Sequence, residues 1–410
     1  MKYSILYLII VSWFFSCNKN ETPVQISGVW LVKLHIDEQK ELPFFLEIVA
    51  TDSGYLSAIW NGNEKLVQPV EKLGSDSILI KSAYFNSELR LHISKDMMNG
   101  VWQDFSRDNY TIWATAKKSE GKRFIFENEQ NNQIDGKWEV WFGADTAEKY
   151  KAVGLFATDE QSTKGTFITE SGDYRFLEGG FDGKEFKVSA FDGSHAFLFE
   201  ASMINDTLKG WFYSGKHWKE PFVAWKNTKV ELKNPYTLSE LSNPDKPVDF
   251  QFIDLNGSMI SLSDEQFRNK PVLVQIMGSW CPNCLDESVY LRHISGFLDS
   301  MGVKIVALTF ERKSYEESLP TLKKLVKNIG INYPVLYAGL AKKEEVSKSV
   351  PWLKEINSYP TLLYLTADKK VFRIHTGFYG PGTGKYFEQQ SIEMINDIQN
   401  LVTLSKNTTE

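Results

Sequence analysis

Cys281 and Cys284, in the run Trp280-Cys281-Pro282-Asn283-Cys284, are the residues of this sequence best spaced to do chemistry. The run before them, Pro271-Val272-Leu273-Val274-Gln275-Ile276-Met277, is apolar in the manner of a buried central strand. The stretch after them, about 282–298, is expected to be a helix. At that handover Cys281 lies where the first N–H groups of the helix have no intrahelical partner. Those donors and the helix dipole favour a thiolate over a thiol. Pro282 suits the first helical turn, where no N–H is needed. Cys284, three residues on, lies on the same helix face within disulfide reach. The chemistry this pattern supports is thiol–disulfide exchange, with Cys281 attacking and Cys284 resolving. A zinc site would need two more ligands, and no second Cys or His pair is present. His35, His92, His195 and His217 are scattered without ligand spacing, so no metal is expected. Two inert buried cysteines remain the alternative.

The elements that must position this pair alternate strand and helix. Phe250–Asp254 and Met259–Leu262 read as a hairpin around Asn256-Gly257. Val303–Phe310 reads as a second buried strand. Helices are expected at about 315–329 and 341–349, strands at 361–366 and 370–376, and a last helix at about 384–403. This is one moderate α/β domain over 248–405.

The stretch from about Val248 to Val402 resembles a thioredoxin-like domain, in particular the TlpA/ResA-like thiol–disulfide oxidoreductases. The resemblance rests on Trp280-Cys281-Pro282-Asn283-Cys284, on Ser358-Tyr359-Pro360-Thr361 before a strand, on Phe310-Glu311 and on the lead-in Asp254-Leu255-Asn256-Gly257. It implies a redox disulfide between Cys281 and Cys284. It also implies a cis Pro360 facing the pair, with Trp280, Tyr359 and Pro360 contacting an extended client. Thioredoxins proper carry a buried Asp on the central strand; here that position is Gln275. If a carboxylate helps deprotonate Cys284, Glu311 is the candidate, its other reading being a solvated loop acid beside Arg312.

Residues 22–230 read differently. Apolar and polar residues alternate in short runs, with Gly, Asn and Asp as punctuation. The region is duplicated, as units 22–118 and 130–230. Ile26-Ser27-Gly28-Val29-Trp30 recurs as Ile134-Asp135-Gly136-Lys137-Trp138, and Asn99-Gly100-Val101-Trp102 is echoed by Lys209-Gly210-Trp211. Ile112-Trp113-Ala114 is echoed by Val223-Ala224-Trp225. Each unit is long enough for about eight short strands, arranged as a barrel or a sandwich, with one continuous β domain built from both copies as a further alternative. The Gly-x-Trp opening resembles the start of lipocalin-like barrels. Trp102, Trp113, Trp138, Trp141, Trp211, Trp218 and Trp225 are expected to fill cores rather than line a ligand cavity. The Pro-rich, polar stretch 231–247 reads as a linker. The fold class is therefore multidomain: an N-terminal all-β region followed by an α/β thioredoxin-like domain.

The chain of 410 residues has a net charge of −6 with both signs interspersed, so nucleic acid is not an expected partner. The N-terminus has Lys2, an apolar run from Ile5 to Phe15, then Ser16 and Cys17. This is a signal-peptide pattern over 1–17, too short to span a bilayer. It resembles a bacterial lipoprotein signal, although Phe14 and Phe15 depart from that pattern. The resemblance implies lipidation at Cys17 and a chain tethered on the periplasmic side of the cell envelope. An ordinary cleaved signal or an uncleaved anchor would also place the chain outside the cytosol. The implied partners are client proteins with oxidised cysteines and a membrane electron-donor reductase, with cytochrome c maturation as one setting. No cofactor is expected. Three alternatives stand beside this reading: a disulfide oxidase or isomerase with the same residues, a peroxiredoxin, and a β module that binds a ligand or partner with the redox domain as accessory. The peroxiredoxin lacks its Thr-x-x-Cys loop here, since Gly278-Ser279-Trp280 precedes Cys281.

Overall fold

Period-two alternation puts one face of each strand inside a barrel and the other in solvent. The computed structural model describes residues 26–119 and 121–409; the expected signal segment and Cys17 lie outside the described residues. Its first strands are β1 (Gly28–His35), β2 (Glu41–Thr51), β3 (Gly54–Asn61), β4 (Glu64–Lys72), β5 (Ser77–Lys81), β6 (Ser87–Ser94), β7 (Met97–Asp104) and β8 (Tyr110–Lys118). They form an antiparallel meander that closes where β8 pairs with β1.

The second unit runs β9 (Gly136–Phe142), β10 (Tyr150–Thr158), β11 (Thr163–Thr169), β12 (Gly172–Asp173), β13 (Leu177–Phe181), β14 (Glu185–Phe191), β15 (Ala196–Ile204), β16 (Thr207–Ser214) and β17 (Trp218–Lys226). β17 returns to β9, and β10 also pairs with β11, so this sheet closes as well. Both units are barrels, which settles the barrel-or-sandwich alternative.

The duplication is visible in hydrogen bonds. Trp30 Nε1 donates to the Ile26 carbonyl at 2.9 Å, and Trp138 Nε1 to the Ile134 carbonyl at 2.7 Å. Lys118 lies over the Trp30 ring and Lys226 over Trp138. Gly100 and Gly210 recur because a Cβ at either would overlap the carbonyl of the neighbouring strand, Arg90 or Glu200. The tryptophans divide unexpectedly. Trp30, Trp102 and Trp138 are fully buried, whereas Trp113, Trp211, Trp218 and Trp225 stand 36–51% exposed on the barrel exteriors. Trp211 directly follows its glycine while Trp102 is two residues beyond, so the two point to opposite faces. Replacing Trp138 with Ala should destabilise the chain by about 3–5 kcal/mol through the cavity left in the second barrel. Trp225→Ala should cost far less, and denaturant titration of the two variants measures the difference.

The barrels pack as one body. Phe191 of the second sits 4.4 Å, ring to ring, from Phe44 of the first and within the first barrel's apolar core. Arg123, between the barrels and buried, donates to the carbonyls of Ser189 (2.8 Å) and Trp60 (2.6 Å) and pairs with Glu178.

The C-terminal domain holds β18 (Gln251–Asp254), β19 (Met259–Ser261), β20 (Val272–Met277), α1 (Pro282–Ser300), β21 (Lys304–Glu311), α2 (Tyr315–Ile329), β22 (Val335–Leu340), α3 (Lys343–Ser349), β23 (Thr361–Leu365), β24 (Val371–Thr376) and α4 (Lys385–Thr409). Among the described residues its sheet has the order β19-β18-β22-β21-β20-β23-β24. β20 is central, parallel to β21 and antiparallel to β23, and buried along its length. No helix among the described residues is long and apolar enough to cross a membrane.

Candidate active site

The central strand β20 ends against the N-terminus of α1, and the cysteines sit at that junction. Cys281 is the N-cap residue of α1, and its Sγ accepts the Cys284 N–H at 3.3 Å. The sulfur thus takes up one of the N–H groups that the first helical turn leaves without an intrahelical partner. The Tyr359 carbonyl lies 3.4 Å from the same sulfur, and the Tyr359–Pro360 bond is cis. Both cysteines are free thiols; Cys281 is 5% exposed and Cys284 fully buried. Burial raises the Cys284 thiol well above its ordinary range, and the hydrogen bond and charge of Cys281 push the same way. Cys284 therefore needs help to lose its proton.

Trp280 flanks the pair. Its Nε1 donates to the Phe310 carbonyl at 3.0 Å, its ring meets Tyr359 edge-on at 5.4 Å, and Arg312 stacks on it at 4.5 Å. Glu311 is buried rather than solvated. It accepts the Ser279 N–H at 2.9 Å and the Ser279 hydroxyl at 2.6 Å, together with the Thr309 hydroxyl. Burial raises its carboxyl, against those hydrogen bonds. These bonds hold the turn that presents Trp280 and Cys281.

A second buried carboxyl faces Cys284 from its own helix. Glu287, three residues after Cys284, has no exposure. Its Oε2 accepts from Gln275 Nε2 at 2.9 Å, and its Oε1 has no hydrogen-bond partner among the described residues. Burial pushes this carboxyl up to about 8, with the Gln275 bond opposing, and its charge acts on Cys284. Gln275 thus holds a carboxyl from the position where thioredoxins carry one. The sequence signal was available: an acid at helical spacing from Cys284, on the face that turns towards β20.

The redoxin family model matches residues 243–381. The C-terminal domain is a thioredoxin-like redoxin domain. Among curated proteins, ResA, the thiol–disulfide oxidoreductase of Bacillus subtilis, is 27% identical over 153 residues, covering 37% of this chain and 72% of the relative. ResA of Halalkalibacterium halodurans is 23% identical over 151 residues, covering 37% and 76%. Among solved structures, a thiol:disulfide interchange protein of Chlorobium tepidum is 19% identical, with a TM-score of 0.31, over 39% of this chain and 98% of its own. A secreted thiol–disulfide isomerase of Corynebacterium glutamicum is 18% identical, with a TM-score of 0.33, over 43% and 98%. The redoxin domain of this chain is of the thiol–disulfide oxidoreductase type. The barrels lie outside the matched residues.

Among the described residues no group of three or more His, Cys, Asp or Glu is arranged to hold a metal ion. The four barrel histidines lie apart: His35 bonds Thr115, His92 approaches Asp76, His217 bonds Tyr110, and His195 sits beside Asp192.

Proposed function

We propose that this chain is an exported, lipid-anchored thiol–disulfide oxidoreductase that reduces client proteins outside the cytosol. The observation that carries the reading is the Cys281 sulfur, capped by the Cys284 N–H and faced by the Tyr359 carbonyl. The Cys281 thiolate attacks one sulfur of a client disulfide, forming a mixed disulfide and releasing a client thiolate. Cys284 then gives up its proton and attacks the Cys281 sulfur, which closes the Cys281–Cys284 disulfide and releases the second client thiol. The client is reduced by two electrons and the pair is oxidised by two. Trp280, Tyr359 and Pro360 line the client's approach. Glu311 braces the turn, and Glu287 takes the Cys284 proton. A membrane electron donor would regenerate the dithiol, and Cys17 would carry the lipid. The relatives named ResA support the redox part of this reading. A role in cytochrome c maturation, whose haem attachment needs reduced cysteines, is its narrowest form.

The direction of electron flow is decided by equilibrating the full chain in glutathione or dithiothreitol buffers and measuring the potential of the pair. A value near ~−270 mV is expected for a reductant, whereas one near ~−120 mV would make this a disulfide-forming enzyme. A pair that never forms a disulfide would end the redox reading altogether.

A further inference from the structure

A reductant of proteins must offer its attacking sulfur to a bulky disulfide, yet here the sulfur is covered. Three segments of the barrels close on the motif. The loop Ser82–Phe85, between β5 and β6, is held to α2: Lys324 Nζ donates to the carbonyls of Ser82 (3.0 Å) and Phe85 (2.6 Å), and Asn328 to Ala83 (2.6 Å). Its Phe85 is buried in the same apolar cluster as Cys281, Cys284 and Leu285.

The segment 171–175 of the second barrel occupies the opposite side. Ser358 Oγ donates to the Ser171 carbonyl at 3.1 Å, and Gly172 forms a β-bridge with Phe378. Asp173 takes the Gly380 N–H at 2.6 Å and the Asn283 side chain at 3.3 Å. A Cβ on Gly172 would come within 2.5 Å of the Asn283 amide, and the φ of +147° there is one that only glycine adopts without strain. The hairpin at 192–195 completes the cover, with Ser194 Oγ 3.4 Å from the Trp280 carbonyl.

One buried guanidinium ties these parts together. Arg175 donates to the Pro282 carbonyl at 3.3 Å and to Asp286 of α1 at 3.1 Å. It also pairs with Glu64 of the first barrel and lies 3.8 Å from Asp192 of the second. We infer that the two barrels are a latched cap on the redox pair, and that a client reaches Cys281 only when the cap has lifted. This rests on the redox reading given above.

The character of the contact supports motion. The barrels share an apolar core with each other, and meet the redox domain through loop tips, backbone carbonyls and ion pairs together with two smaller apolar clusters, one around Phe85 and one joining Val153 and Ile168 to Tyr379 and Tyr386. Contacts of this mixed kind, whose apolar parts are small beside the core shared by the barrels, leave relative domain motion as the default. The latch gathers Glu64, Asp173, Asp192 and Asp286 around Arg175, with His195 beside Asp192, so carboxyls outnumber the cation. Burial pushes Asp286 up to about 7; Arg175 opposes, and the other three carboxyls add to the rise. The docked state therefore holds a proton that a lifted Asp286 would release. Its contribution to docking is full below the ordinary carboxyl range, and fades as pH climbs through about 7.

The test is the rate at which a bulky maleimide polymer labels Cys281 in the reduced full chain, with each variant's fold checked by circular dichroism. The double variant Lys324→Ala/Asn328→Ala removes three hydrogen bonds to the Ser82–Phe85 loop and touches no redox residue. It should label roughly 10–100-fold faster than the parent, the weight of those bonds on an opening equilibrium. Arg175→Gln should do the same, and Asp286→Asn should flatten the pH dependence of scattering-derived size. A parent chain that labels as fast as both variants would overturn the cap. Labelling needs no exchange chemistry, so failure of a small oxidant to form the Cys281–Cys284 disulfide would sink the redox reading independently.

Discussion

Cys284→Ser is expected to turn the enzyme into a trap. With Cys281 intact, the first attack still forms a mixed disulfide with a client, but nothing on the helix resolves it. Cys284 is positioned by the helix that carries both sulfurs, and well-oriented intramolecular groups act at effective concentrations of ~10⁵–10⁸ M. A millimolar external thiol cannot replace that, so turnover should fall on the order of 10³-fold or more. Non-reducing electrophoresis should show one client joined to each chain, released by dithiothreitol. Cys281→Ser should give neither turnover nor adduct, because Cys284 is buried with its thiol held well above the ordinary range. Adducts of equal yield in both variants, or none in Cys284→Ser, would remove Cys281 from the attacking role.

The parts of this molecule that sequence discloses are those built from short spacings. The Cys-x-x-Cys run, Pro282 at the helix start and the Tyr359-Pro360 dipeptide each carry their geometry within a few residues, and the strand–helix alternation surrounds them. β22 is the exception in the domain: Val335–Leu340 includes Gly339 at a φ of 140°, which no alternation pattern announces. The barrels were legible as a duplicated meander, because glycines and buried tryptophans recur at equivalent places. Which tryptophans face inward was not legible, since one residue of offset reverses the face of a strand. The cover over Cys281 was invisible for another reason. Arg175 meets Asp286, Asn283 meets Asp173 and Lys324 meets Phe85 across long stretches of chain, through loop tips that carry no periodic signal. His195, which the sequence shows only as one of four scattered histidines, belongs to that cover through its hairpin.

Glu287→Gln should separate the two chemical steps. Treating the reduced chain with an aromatic disulfide that releases a coloured thiolate gives two phases: attack by Cys281, then resolution by Cys284. Loss of the carboxyl that accepts the Cys284 proton should slow the second phase by about 10²-fold, at the low end of general-base effects. The first phase should keep its rate, an asymmetry that a simple packing defect would not produce. In the parent chain the second phase should quicken as pH rises through about 8, where Glu287 ionises, and Gln should flatten that limb. Stability should respond in the opposite sense. The carboxyl is raised from 4.5 to about 8 by burial, so its contribution to folding is whole below 4.5 and is lost as pH climbs through about 8. Glu287→Gln carries no such loss and should melt higher than the parent at pH above about 8 while matching it more closely in acid. A second phase as fast in Gln as in Glu would pass the proton of Cys284 to another acceptor. Glu311, with its oxygens engaged by Ser279 and Thr309, would then have to exchange a structural bond for the chemistry.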